Sequence, residues 1–148
     1  MIPKGAAGQA APTAKNQQPQ RIYVLESEDA IGKIRGITRC AFNAPVVLLV
    51  CGDKEAAWTN PFNDRNSAEM DCSIVTTQMM LQAQELGLGT CWIHRAKEEF
   101  ETEEGKQILR DLGITEEYEG IGHLALGWPN CPHPKARPRK ENYVYFAE

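Results

Sequence analysis

The chain has 148 residues, enough for one domain with a single core; its 42% apolar and 24% charged residues are ordinary for a soluble globular protein. The formal net charge of -4 argues against a general nucleic-acid surface, and no apolar run is long enough to span a membrane. Five scattered cysteines, an odd number, and a start without an apolar signal segment (Met1-Ile2-Pro3-Lys4-Gly5) predict reduced thiols and a cytoplasmic location rather than a disulfide framework.

Residues 1–20 are rich in Gly, Ala, Pro and Gln and predict an extended loop, because each proline biases its predecessor away from helix. Arg21-Ile22-Tyr23-Val24-Leu25 predicts a short strand. Asp29 is the candidate N-cap of a helix in which Ile31, Ile34 and Ile37 recur at helical spacing, weakened by Gly32 and Gly36. Residues 46–51 are apolar at every position, as in a strand buried on both faces in the middle of a sheet. Residues 52–66, with Trp58, Pro61 and Phe62, read as a loop.

The longest predicted helix covers 67–86. Ile74, Leu81 and Ala83 lie to one side of it; Val75, Met79, Met80 and Leu86 widen the apolar face well past half the cylinder. That breadth fits a central core helix, or one that also packs against a partner subunit. Gly87 marks a left-handed stop. A strand follows at 89–93, then one amphipathic helix over 96–112 with Phe100, Ile108, Leu109 and Leu112 inward, an acidic outer face and Gly113 at its end. Residues 120–127 predict another strand. A proline-rich connector then leads to a last strand at 143–146. Strands and helices alternate without repeats, which predicts a single domain over 1–148, an α/β or α+β sandwich with a mixed sheet between helices, and a C-terminal strand that can extend toward a partner subunit.

Few residues point to side-chain chemistry. Cys131-Pro132-His133 brings two metal-ligand types together, but no CxxC and no HxxxH supplies the rest of a tetrahedral site. Cys91 has His94 nearby in sequence, although the residues of a strand alternate between faces, and no GxSxG elbow occurs. The buried thiols read as small hydrophobes. No Walker or GxGxxG motif is present. The connector nevertheless concentrates Lys135, Arg137, Arg139 and Lys140 in an acidic chain. Arg137 and Arg139 flank Pro138, so an extended backbone projects both guanidiniums to one side, an arrangement suited to a phosphate monoester; a solvated basic linker is the plain alternative. Near the other end, Thr13, Asn16, Gln17 and Gln18 offer neutral donors and acceptors between prolines. Such groups can read the edge of a polar heterocycle, or can form an ordinary polar surface loop.

Five ordered segments together resemble one family. Residues 11–19 (A-P-T-A-K-N-Q-Q-P) are similar to an A-P-S/T-x-x-N-x-Q-P signature; 44–50 resemble its central strand; 86–93 (L-G-L-G-T-C-W-I) are close to its common form; 120–129 look like G-x-x-x-L-A-L-G-Y/W-P, and 137–140 like its R/K-x-R-K tail. The family is the FMN-dependent nitroreductases, and the resemblance runs from about residue 10 to 146. It implies an α+β fold, a homodimer with FMN at the interface, and hydride passed from NADH or NADPH to nitroaromatics, quinones or similar small-molecule acceptors. It further implies that Pro12, Thr13, Ala14, Asn16 and Gln18 contact flavin, typically that of the partner subunit. Trp92, Ile93 and His94 would lie along the ring, and Arg137, Arg139 and Lys140 would hold the phosphate. The 67–87 helix would form the dimer core. No catalytic side chain is implied, because the flavin carries the chemistry.

The family's R-R-S-x-R-like opening segment has no counterpart in residues 1–10, which contain no arginine, and Gln20 stands where an aromatic residue is common. The sequence therefore reads as a short form or a truncation. Each lost arginine–phosphate contact would weaken FMN binding by about 1.5 to 3 kcal/mol. A non-catalytic flavin-binding or interaction module of the same fold is the alternative function.

Overall fold

A computed structural model describes residues 6–147. Four strands, β1 (Gln20–Leu25), β2 (Val46–Asp53), β3 (Gly89–Ile93) and β4 (Tyr118–Gly127), form one sheet in the order β1-β2-β4-β3. Each neighbouring pair is antiparallel. The α+β class holds, and the helices lie on both faces. The parallel pair that a mixed sheet requires is not found among the described residues.

The all-apolar run becomes β2, and its position follows from its composition. Val47, Leu49, Val50 and Cys51 are completely buried, so β2 sits inside the sheet with β1 and β4 on either side. Burying a valine or leucine contributes about 1.5–3 kcal/mol, and polar ends would forfeit it. Alternation splits the strand between two cores. Val47, Leu49 and Cys51 face Ile31 and Ile34 of α2 (Glu28–Ile37), Phe100 of α4 (Ala96–Glu101), and Ile108 and Leu109 of α5 (Glu103–Asp111). Leu48 and Val50 face Cys72, Val75, Met79 and Ala83 of α3 (Ala68–Glu85).

Several expectations need correction. Residues 6–20 are not simply extended: α1 (Ala6–Gln9) packs on α3, and a helical turn covers Ala14–Asn16, while positions 1–5 of the predicted loop lie outside the described residues. Gly8 permits that packing, since a Cβ there would lie 3.1 Å from the Met79 sulfur. Tertiary contact thus decides a segment whose composition looks like a loop. The N-cap of α2 is Ser27, whose Oγ accepts the Ala30 N–H at 3.2 Å; Asp29 lies inside the first turn. On α3 the apolar residues occupy opposite sides: Ala83 is buried with Val75 and Met79, while Met70, Ile74 and Leu81 are exposed.

The predicted 96–112 helix breaks at Thr102, which takes an extended backbone (φ -71°, ψ 157°). Its Oγ1 donates to the Glu99 carbonyl at 2.7 Å and accepts the Gly105 N–H at 3.0 Å, ending α4 and capping α5 together. Gly105 makes the bend possible: a Cβ there would stand 2.1 Å from the Glu99 carbonyl oxygen. Gly105→Ala should therefore destabilise the fold by about 3 kcal/mol, the upper part of the usual overpacking range. Gly32→Ala and Gly36→Ala should do the reverse, each adding about 0.5–1 kcal/mol to α2, because nothing lies within 4 Å of either position. Urea unfolding of the three variants checks both signs; a Gly105→Ala protein as stable as the parent would contradict the packing described.

Gly87 and Gly113 adopt positive φ (74° and 75°), as expected of left-handed helix stops. Residues 128–147 form neither helix nor strand. The strand expected at 143–146 does not form within the chain, for it pairs with no sheet edge there. Tyr143, Val144, Tyr145 and Phe146 are 71–92% exposed. No described helix is long and apolar enough to cross a membrane.

Candidate functional site

The 12–18 loop is anchored at both ends by burial of Ala11 and Pro19. Between them the chain folds back tightly. Asn16 N–H donates to the Thr13 carbonyl at 3.0 Å and Gln17 N–H to the Ala14 carbonyl at 3.2 Å. Gln18 N–H donates to Thr13 Oγ1 at 3.0 Å, and Gln18 Nε2 to Asn16 Oδ1 at 3.1 Å. Lys15, Asn16 and Gln18 all have positive φ, between 50° and 55°. This conformation costs a residue with a side chain about 1–2 kcal/mol, less for asparagine, so the surroundings must hold it. The Lys15 ammonium lies 5.7 Å from the centre of the Trp58 ring, a cation–π contact.

Part of the support comes from α3. Ala14 N–H donates to Asp71 Oδ1 at 2.9 Å, and Ser67 Oγ donates to Asp71 Oδ2 at 2.8 Å. The first turn of α3 also reaches α4: Glu69 forms an ion pair with Lys97, which follows Trp92 and His94 in sequence. Trp92 and His94 are exposed and meet edge to face, ring centres 5.7 Å apart. The Trp92 indole lies against Gly122, which leaves room for it. Ile93 points the other way, into the core beside Leu49. Only its backbone is left for a ligand on the Trp92 side, a consequence of strand alternation.

The structure therefore brings Thr13, Ala14, Asn16 and Gln18 together in one turn, with Pro12 exposed at its start. Trp92 and His94 form a second patch. Arg137, Arg139 and Lys140 are exposed and make no hydrogen bond or ion pair with a described residue. Within one chain they are not joined to either patch. Of the cavities, one of about 430 Å³ is lined by Gln18 together with Gln9, Gln20 and Arg21. Gln20 Oε1 is buried without a hydrogen-bond partner. Arg21 Nε donates to the Tyr118 hydroxyl at 2.8 Å, which raises the arginine pKa further above its ordinary value.

Thiol chemistry finds little support. Burial pushes Cys91 up, with Cys40 adding to the effect, and burial pushes Cys72 up to about 12. Both stay protonated, and protonated thiols are weak nucleophiles. Among the described residues no group of three or more His, Cys, Asp or Glu is placed to bind a metal, so Cys131 and His133 gain no further ligand.

Sequence reasoning missed Asp71. A signal existed: this acid lies on the same side of α3 as Cys72, Val75 and Met79, where a carboxylate needs donors. It also missed Trp58 beneath Lys15 and the Gln20–Arg21 surroundings of Gln18.

Comparison with known proteins agrees with this architecture. The Nitroreductase family profile matches residues 39–128, a span that includes Trp92 and His94 and leaves out both terminal segments. A protein of Archaeoglobus fulgidus, provisionally named an NADH dehydrogenase/NAD(P)H nitroreductase, is 28% identical over 127 residues, covering 83% of this chain and 68% of its own. The crystal structure of a nitroreductase family protein from Clostridium difficile is 34% identical, with a TM-score of 0.69, over 88% of this chain and 70% of that one. A provisionally named nitroreductase from Desulfovibrio desulfuricans, solved in complex with FMN, is 25% identical, with a TM-score of 0.70, over 90% of this chain and 76% of that one. By the span of the profile match and the identity to the Clostridium protein, the chain belongs to the nitroreductase family.

Proposed function

We propose that the chain is an FMN-dependent oxidoreductase, working as a cytoplasmic homodimer, that passes hydride from NADH or NADPH to a nitroaromatic, a quinone or a similar small-molecule acceptor. The observation that carries this proposal is the 12–18 loop, a turn of amides and a hydroxyl held in left-handed backbone by its own hydrogen bonds and by Asp71. The FMN held by the Desulfovibrio relative supports the choice of cofactor.

The groups present fit such a ligand. Neutral amides suit the edge of a heterocycle, and the unpartnered Gln20 oxygen beside Gln18 is a further acceptor. The exposed Trp92 face suits a flat ring. Guanidiniums without an ion pair among the described residues suit a phosphate. When bound, FMN supplies the two-electron chemistry between donor and acceptor. Pro12, Thr13, Ala14, Asn16 and Gln18 would orient the ring from one side, with Trp92, His94 and the Ile93 backbone along it. Arg137, Arg139 and Lys140 would hold the phosphate. No side chain is assigned as a catalytic acid, base or nucleophile.

A second subunit answers two needs of the fold. Met70, Ile74 and Leu81 lie on the face of α3 opposite its buried residues, and all are at least 41% exposed. Tyr143 to Phe146 are an apolar segment without a sheet to join. Covering the α3 residues would contribute about 1.5–3 kcal/mol for each side chain fully buried.

Reconstitution with FMN followed by dialysis tests the proposal. The expected protein is yellow, bleaches when NADH or NADPH is added without oxygen, and regains colour with a quinone or nitroaromatic. A colourless protein contradicts it. Bound FMN that neither nucleotide bleaches would favour a flavin-binding module without turnover.

A further inference from the structure

We propose that Asp71 is the positioning residue that sets the shape of the 12–18 loop and, through it, the grip on the cofactor; the inference rests on the reading above that this loop meets the flavin. Asp71 is 3% exposed and forms no ion pair with a described residue. A buried carboxylate without a cation is costly unless donors surround it. Its donors are the Ala14 N–H and the Ser67 hydroxyl, with the N-terminal turn of α3 adding a favourable field.

The place of the first bond matters. Among the described residues, Ala14 N–H to Asp71 is the one hydrogen bond joining positions 12–18 to another element; the rest stay within the loop. Ala14 directly precedes Lys15 and Asn16, where the backbone turns left-handed. A fixed acceptor at that point holds the entry to the turn, so Asn16 and Gln18 present their amides in one arrangement before a ligand arrives. Preorganisation of this kind raises affinity by removing an ordering cost. Ser67 plays the supporting part: its hydroxyl bond orients the carboxylate so that Oδ1 faces Ala14. Asp71 touches no ligand in this scheme.

The test uses the parent protein and its variants Asp71→Ala, Asp71→Asn and Ser67→Ala. Asparagine retains an acceptor for Ala14 and an amide that the Ser67 hydroxyl can accept, so it should rescue most of the loss. Amide hydrogen exchange without FMN should quicken at least tenfold at residues 14–18 in Asp71→Ala, remain near parental in Asp71→Asn, and be unchanged in β2 in all variants. FMN titration should then show affinity at least tenfold weaker for Asp71→Ala, with an altered visible circular dichroism of bound flavin. Asp71→Asn should stay within about threefold of the parent, and Ser67→Ala should fall between. If Asp71→Ala fails to fold, the Ser67→Ala and Asp71→Asn comparison decides. Parental affinity and dichroism in every folded variant would overturn the inference, as would weaker affinity with unchanged loop exchange. A parent protein that binds no FMN would instead refute the proposed function, and loop exchange alone would still show whether Asp71 shapes the turn.

Discussion

Replacing Arg137 and Arg139 together with alanine is expected to weaken FMN binding by about a hundred- to ten-thousand-fold while leaving the melting temperature of the cofactor-free protein unchanged. A hydrogen bond to a charged group contributes about 1.5–3 kcal/mol, and two such bonds multiply their effects on affinity. The unchanged stability follows from their position: both side chains are exposed and neither bonds to another described residue. Arg137→Lys and Arg139→Lys should lose less, because the charge remains while the forked, two-pronged geometry does not. Fluorescence titration of FMN at two salt concentrations reads these effects. The parent should weaken with added salt and the double alanine variant much less so. A double variant that binds as the parent does would remove the phosphate role from the connector.

The second large effect concerns pH. His123 lies in β4 between Leu49 of β2 and Ile93 of β3, wholly buried, with neither ring nitrogen hydrogen-bonded. Burial lowers its pKa from 6.5 to about 4. Above the unfolded value the ring is neutral in both states and costs nothing through protonation. As pH falls below it, the unfolded chain takes up a proton that the folded chain refuses, and stability is lost. The loss is complete once pH passes below the folded value and amounts to about 3 kcal/mol. His123→Leu should remove this component and also relieve a buried polar ring without partners, worth about 1–3 kcal/mol. Urea unfolding of both proteins near pH 7 and near pH 5 separates this from the titration of surface carboxylates, which the two share. The stability gap should widen at the lower pH; a constant gap would mean that His123 is solvated or paired in the folded protein.

Features governed by local chemistry were legible before the structure. The unbroken apolar run at 46–51 could only be a central strand, and Gly87 and Gly113 could only be stops where the helical pattern ended. The alternation of such elements narrowed the fold to an α/β or α+β sandwich, and the family resemblance selected α+β. Features governed by distant contacts were not. Whether 96–112 is one helix or two depends on Gly105 passing close to the Glu99 carbonyl, which no periodicity records. Short α1 exists because Gly8 fits against Met79. A strand at 143–146 needs an edge to pair with, and alternation in sequence does not supply one.

The candidate site divides in the same way. The amides of 12–18 were visible as residue types, and their left-handed arrangement was not, because it depends on an acceptor on α3. The opposite orientations of Trp92 and Ile93 follow from strand geometry alone. The cations of 137–140 stand out by composition, yet they have no partner among the described residues, so their place in a site is a matter of assembly.

The central claim is that the 12–18 loop and the guanidiniums of Arg137 and Arg139 hold the same cofactor, across two subunits. A crystal structure of the FMN-saturated protein tests this most directly. It should show a dimer with each flavin touched by Asn16 or Gln18 of one protomer, and its phosphate within hydrogen-bond reach of Arg137 and Arg139 from either. A monomer, or a flavin seated away from the loop with both arginines in solvent, would contradict it.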